Sequence, residues 1–176
     1  MNDLLLLASL LAGPQHGYAL KKQVGLFSGK REMHNNLVYP LLRRFVQNSW
    51  VSKRRAAGQR GQTRELYALT ARGKHELLRR LAAFTEKEAR SEAEFQLRVG
   101  LFTVLDAVTR SRILVSRDAW LAEREQRLAR LSAAVDPGPW GGEVLHYLRE
   151  CIQAERTWIV TLERKSKRDR KAPLDS

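Results

Sequence analysis

The sequence predicts a mainly α chain with one β hairpin before its midpoint. Three observations lead there. Apolar residues recur at helical spacing through most of the 176 residues, the period changes to that of strands only around 50–54 and 63–69, and Gly and Pro gather at a few stops.

The first helix is read from Asn2 to Ala12, stopped by Gly13-Pro14, with leucines too dense for an exposed element. A second, from Gly17 to Phe27, carries an apolar stripe of Tyr18, Leu20, Val24 and Phe27, with Lys21 and Lys22 off it. The third begins at Asn35-Asn36, both good N-caps, and runs to about Asn48 with Leu37, Leu41, Leu42 and Phe45 as its apolar face. Pro40 falls near the first turn, where a missing N–H costs little.

Trp50–Arg54 and Thr63–Leu69 then read as strands joined by a basic, glycine-bearing turn. Thr70 caps a fourth helix with Leu77, Leu78, Leu81 and Phe84. Three helices followed by a two-stranded β wing make the outline of a winged helix-turn-helix.

The remainder is read as a helical dimerisation domain. Phe95 to Val108 is apolar almost all round, so it should be covered on more than one side. From Ser111 to Ala134, Leu114, Leu121, Leu128 and Val135 repeat every seven residues, with polar Arg117 and Arg124 between them, which describes a narrow seam. Asp136-Pro137-Gly138-Pro139 breaks the chain. A last helix shows Leu145, Leu148, Ile152, Ile159 and Leu162, interrupted by Glu155, before a frayed basic end. The organisation expected is a winged helix over 1–84, a dimerisation and effector domain over 85–166, and a basic tail over 167–176. Leu101, Leu105, Leu114, Leu121, Leu128, Leu148, Ile152 and Ile159 are the candidate dimer contacts.

Charge narrows the function. The chain holds 32 Lys and Arg against 19 Asp and Glu, and residues 1–83 alone hold 15 against 4. An excess confined to one half points to a polyanionic partner. Cys151 is the one cysteine, which excludes an internal disulfide and suits a reducing compartment. The opening leucine run is too short to span a bilayer and lacks a basic start, so the protein is expected in the cytoplasm, with no membrane partner. The four histidines share no metal-ligand spacing, and no phosphate loop, nucleophile elbow or catalytic dyad is present. No cofactor and no enzymatic activity are expected.

A helix that reads the major groove carries short polar side chains at its start and cations on its flank. The third helix has His34, Asn35, Asn36 and Tyr39, then Arg43 and Arg44. Asn pairs bidentately with adenine and Arg with guanine, although both asparagines also serve as caps. Arg54, Arg55, Arg60 and Arg64, with Gln62 and no acid among them, suit contact with phosphates by the wing. Double-stranded DNA is therefore the expected partner.

Three ordered motifs carry a resemblance. His16-Gly17-Tyr18-Ala19-Leu20, Leu37-Val38-Tyr39-Pro40-Leu41-Leu42 and Gly61-Gln62-Thr63-Arg64-Glu65-Leu66-Tyr67-Ala68-Leu69-Thr70, with Gly73, resemble the PadR family of transcriptional regulators over residues 4–80. The resemblance implies that Tyr39 and its neighbours meet the DNA backbone, that 61–64 form the wing, and that the protein is a homodimeric repressor relieved by a ligand. Ser49-Trp50 stands where the family has glycine-leucine, and Ala19 where a polar residue is common. Phe95, Phe102, Trp120 and Trp158, with Trp140, offer flat walls for a small aromatic ligand. Arg98, Arg112 or Arg117 would hold its carboxylate. A ligand-independent activator and a protein-binding adaptor are the alternative readings.

Overall fold

Leucine density decides the first element. In the computed structural model, which describes residues 2–27, 35–57 and 63–169, Leu4–Leu7 and Leu10 are all buried. Helix α1 (Asn2–Ser9) stops three residues before Ala12. The chain tightens there into short-range bonds, Leu10 N–H to the Leu7 carbonyl and Leu11 N–H to that of Ala8, and Gly13 takes φ 125°, open in practice only to glycine.

This element belongs to the first of two units, Met1–Ala83 and Phe84–Ser176. The first unit continues with β1 (Gln15–His16), α2 (Gly17–Phe27), α3 (Asn35–Gln47), β2 (Val51–Ala57), β3 (Thr63–Leu69) and α4 (Ala71–Ala82). The sheet is antiparallel in the order β1-β3-β2, with Gln15 opposite Tyr67 and Val51 opposite Leu69. The expected two-stranded wing is thus part of a three-stranded sheet. A two-residue strand is too short to show an alternation in sequence.

Burial corrects two helical faces. Tyr18, placed on the apolar stripe of α2, is 68% exposed, while Leu20 and Val24 are buried. On α3 the core side is Val38, Leu42 and Phe45, spaced four and three residues apart, and Leu37 is exposed. Pro40 is the sixth residue of α3, just after the first turn, so it lacks the N–H that would meet the Asn36 carbonyl.

The departure at Ser49-Trp50 has a local solution. Ser49 takes φ 60°, a left-handed conformation that glycine adopts more cheaply. The Trp50 indole lies 5.7 Å from the Phe45 ring, and the Arg80 guanidinium sits 4.7 Å above it. Thr70 closes the joint. Its hydroxyl donates to the Ser49 carbonyl (2.7 Å) and accepts from Gly73 N–H (2.9 Å), capping α4 as expected. A Cβ on Gly73 would stand 1.9 Å from the Trp50 carbonyl oxygen, so this crossing admits only glycine.

The second unit contains α5 (Glu86–Ala89), α6 (Glu92–Gly100), a 3-10 turn (Phe102–Val104), α7 (Ala107–Ala134) and α8 (Gly138–Asp169). The single apolar helix expected over 95–108 is therefore divided. Leu105 is extended, and the Asp106 carboxylate accepts from Thr109 N–H (2.8 Å) to start α7 four residues before Ser111. Helix α8 begins at Gly138, so Pro139 lies in its first turn. The helix reaches Asp169, so the segment from Arg164 to Asp169 is helical and not frayed.

The heptad seam is buried by the chain itself. Leu114 and Leu121 on α7, with Ile152 and Ile159 on α8, form the core of an antiparallel helical hairpin, and Leu105 is buried beside it. Leu101, Leu128 and Leu148 are half-buried. The five buried residues are covered within the chain itself, a contact that the seam reading had given to a second copy. Periodicity marks a covered face but does not say which helix covers it.

Arg117, read as the polar gap in that seam, is only 2% exposed. It donates to both carboxylate oxygens of Glu155 (2.8 Å each) and to the Ala89 carbonyl (2.6 Å). Glu155, which interrupts the apolar pattern of α8, is thus the half-buried partner that the α7 seam requires.

Candidate nucleic-acid interface

Two elements of the first unit present cations and polar groups to solvent. On α3, Asn36, Pro40 and Arg43 are exposed and fall on the side opposite Val38, Leu42 and Phe45. Arg44 is exposed beside them and lies 3.8 Å from Asp3. On the sheet, Lys53, Arg54 and Arg55 of the edge strand β2 and Arg64 of β3 are exposed. Asn35 is the first residue of α3. His34, Arg60 and Gln62 lie outside the described residues.

Between these elements lies a depression of about 640 Å³, lined by His16, Gly17, Tyr18, Ala19, Tyr39, Arg64, Glu65 and Tyr67. Gly17 makes it possible, because a Cβ there would come within 3.1 Å of Tyr39 Cε1. Tyr39 therefore lies against the first turn of α2 while remaining exposed at the flank of α3. Its neighbour Tyr67 is buried and donates its hydroxyl to Glu65 (2.7 Å), whose other oxygen pairs with Lys53. The bond from Lys53, and then that from Tyr67, hold the Glu65 carboxyl below its ordinary range. Burial, and then Glu65, push the Tyr67 phenol well above its own. Among the described residues Glu65 is the one acid that lines the depression, and Lys53 offsets its charge while Tyr67 donates to it. His16 Nδ1 lies 3.1 Å from the Glu65 carbonyl, which fixes the imidazole at the rim.

Tyr39 and Arg64 therefore share one concavity, Asn36 and Arg43 share one helix face, and Arg55 stands apart on β2. The sequence reading missed His16, Tyr18, Leu37 and Lys53. The first two were visible only as motif letters, and Leu37 was assigned to the core by a shift of one position along α3. Exposed beside Asn36, Leu37 supplies an apolar surface of the kind that meets a thymine methyl.

Of the aromatic set expected for an effector, Phe95 is buried, Trp120 is half-buried and Trp158 is exposed. Phe95 is buried edge-on against Trp158 at 5.7 Å, and the Arg117 guanidinium lies 4.6 Å from the Trp120 ring and 5.5 Å from Phe95. Phe102 is half-buried. Arg98 is fully buried, donates to Glu88 (2.6 Å) and Glu94 (2.8 Å), and stacks over Phe84. Arg98 and Arg117 already hold internal carboxylates, so neither serves as the anchor for a ligand's carboxylate. Trp140 is 83% exposed. Among the described residues, no His, Cys, Asp and Glu side chains gather as a metal would need, and no helix is long and apolar enough to cross a membrane.

Residues 6–79 match the model of the transcriptional regulator PadR-like family, a span that contains the three motifs, the depression and the outward face of α3. A PadR family transcriptional regulator from Eggerthella lenta is 30% identical over 46% of this chain and 68% of that one, with a TM-score of 0.40. The chain belongs to the PadR-like family. Two further solved PadR structures share less identity with it. A PadR family regulator from Clostridium difficile is 24% identical over 47% of this chain and 85% of its own, with a TM-score of 0.41. Bacillus subtilis PadR, solved in complex with operator DNA, is 18% identical over 93% and 98%, with a TM-score of 0.45. No curated protein sequence matches the chain. As a PadR-like protein the chain is a transcriptional regulator with a winged-helix N-terminal unit.

Proposed function

We propose that this PadR-like protein binds double-stranded DNA as a homodimer and represses transcription until a small aromatic ligand releases it. The observation that carries the DNA reading is the outward face of α3. Asn36, Leu37 and Arg43 are solvent-exposed there, beside a wing whose Arg54, Arg55 and Arg64 are also exposed. Asn36 and Arg43 would meet base edges, and Tyr39 and Arg64 would take a backbone phosphate in the depression they line. An exposed Leu37 on a face otherwise polar suits a groove better than water.

The support for a dimer comes from α8. Trp140, Val144, Tyr147, Cys151 and Trp158 are all exposed and, at spacings of three, four and seven, lie along one side of the helix. This stripe replaces the buried seam as the surface offered to a second copy. Its aromatic rings also offer flat surfaces to a ligand, whereas Phe95 is packed inside. A ligand seated between two copies would change the spacing of the two reading helices, which is how it would release DNA.

Selection of bound genomic fragments, followed by titration of the selected duplex, tests the reading. A palindromic site bound by two chains is the expected result. A monomer by sedimentation at micromolar concentration removes the dimer, and failure to enrich any sequence removes the regulator reading in favour of a protein-binding adaptor.

A further inference from the structure

Two sets of cations in the second unit contrast. Arg98, Arg110, Arg117, Arg127, Arg149 and Arg156 each donate to an acceptor of the same unit. Arg164, Lys165, Lys167 and Arg168, in the last two turns of α8, are exposed, and none of the four meets a carboxylate among the described residues. Arg170 and Lys171 follow directly in the sequence, with Asp169 the one acid in the run. Asp169 faces Arg110, at 3.4 Å.

A run of like charges ordinarily repels itself into an extended, solvated segment. Here it is helical through Asp169, held by Ile159 and Ser166, which are buried, and by the Arg110–Asp169 pair. The helix dipole favours cations in the last turn, which accounts for Lys167 and Arg168 but not for Arg164 and Lys165 before them. Arg164, Lys167 and Arg168 stand at i, i+3 and i+4 and so share a face. A membrane-surface helix would show apolar residues beside such a face. The apolar side of this segment, at Ile159, is instead covered within the unit.

We propose that the last two turns of α8 form a second nucleic-acid contact that grips backbone phosphates without regard to sequence. It is separate from the winged helix and rests on the DNA-binding reading above. The helix supplies pre-positioned cations to the phosphates, and the sequence preference stays with α3.

The test uses the full chain carrying Arg164→Gln, Lys165→Gln, Lys167→Gln and Arg168→Gln together, with Lys167→Glu alone as a milder variant. Affinity for a long random-sequence duplex is measured across a salt series. Each phosphate that the protein no longer neutralises flattens the slope of log affinity against log salt by about 0.9, so the fourfold variant should flatten it by about 2–4 and the single variant by about 1–2. Helical content by circular dichroism should match the parent, because none of the four is bonded to a carboxylate of the fold. A parent that binds the duplex and a variant with the same slope would overturn the inference and leave the winged-helix reading standing. A parent that binds no duplex would overturn both. Loss of binding to phosphatidylserine vesicles with an unchanged DNA slope would overturn it in favour of a membrane surface.

Discussion

The two units use arginine in opposite ways. In the first, Arg43, Arg54, Arg55 and Arg64 are exposed on a helix face and on the sheet, where they can do little for the fold. In the second, Arg98 and Arg117 are fully buried, each with carboxylate partners and an aromatic ring against its guanidinium. Removing a guanidinium from water is costly, and a bidentate acceptor, a further hydrogen bond and a ring each offset part of that cost. Arg117 has all three. An arginine within a heptad is therefore not evidence of an exposed position, and its chemical role follows from what surrounds it.

The sharpest way to break this comparison is to remove one buried partner. Arg117→Ala should destabilise the protein by about 3–5 kcal/mol in urea unfolding, because it leaves Glu155 charged and half-buried without its partner. Replacing Arg117 and Glu155 together by methionine should recover most of that loss. A cost below about 1 kcal/mol for Arg117→Ala would mean that the pair is exposed in solution and that the contrast between units is false.

The first unit has its own intolerant point, and it is steric. Gly73→Ala would drive a Cβ to 1.9 Å from the Trp50 carbonyl, and a loss of about 3 kcal/mol in thermal unfolding is expected. Unchanged stability would show that the α4–β2 crossing is looser than its geometry implies.

Surface changes in the first unit should act on DNA and leave the fold alone. Asn36→Ala should weaken the selected site by about 1–3 kcal/mol and leave random duplex nearly unchanged. Arg64→Ala should weaken both alike and flatten the salt slope by about 1. If Asn36→Ala binds the selected site as the parent does, the outward face of α3 is not the reading face.

The smallest effect expected is in acid. Bonds from Arg79 and Arg80 hold the Glu76 carboxyl down at about 2 from an ordinary 4.5. A depressed value means that the ionised form is favoured by folding. Its contribution is present above pH 4.5 and is lost as the pH falls toward about 2. The melting temperature of Glu76→Gln should change less over that window than that of the parent. Parallel curves would assign the acid sensitivity to other carboxylates.

Much of the first unit was legible because its signals are local. Gly13, Thr70 and Gly73 are turn, cap and crossing residues whose chemistry can be read in place. The bounds of α2 and β3 follow from the period alone. The reading of α3 erred by one position at Leu37, since three adjacent apolar residues at 41, 42 and 45 allow two faces until something packs against one of them. The depression at Tyr39 was not legible. It depends on Gly17 of α2, Tyr39 of α3 and the Glu65 and Tyr67 side chains of β3 meeting, and no window of sequence contains all three elements.

By itself the sequence determined the helices and wing strands of the first unit, the family and the half of the chain where charge gathers, because periods, caps and motifs act within a few residues of one another. Tertiary structure alone decided what each face meets. Glu155 reaches Arg117 from 38 residues away, turning a supposed gap in the seam into its central ion pair. Helix α8 folds back over Leu114 and Leu121, so the apolar stripe left open lies on α8 at Trp140, Val144 and Tyr147. Such pairings depend on which distant segment best excludes water from the face, and a local pattern shows that a face is to be covered without naming its cover.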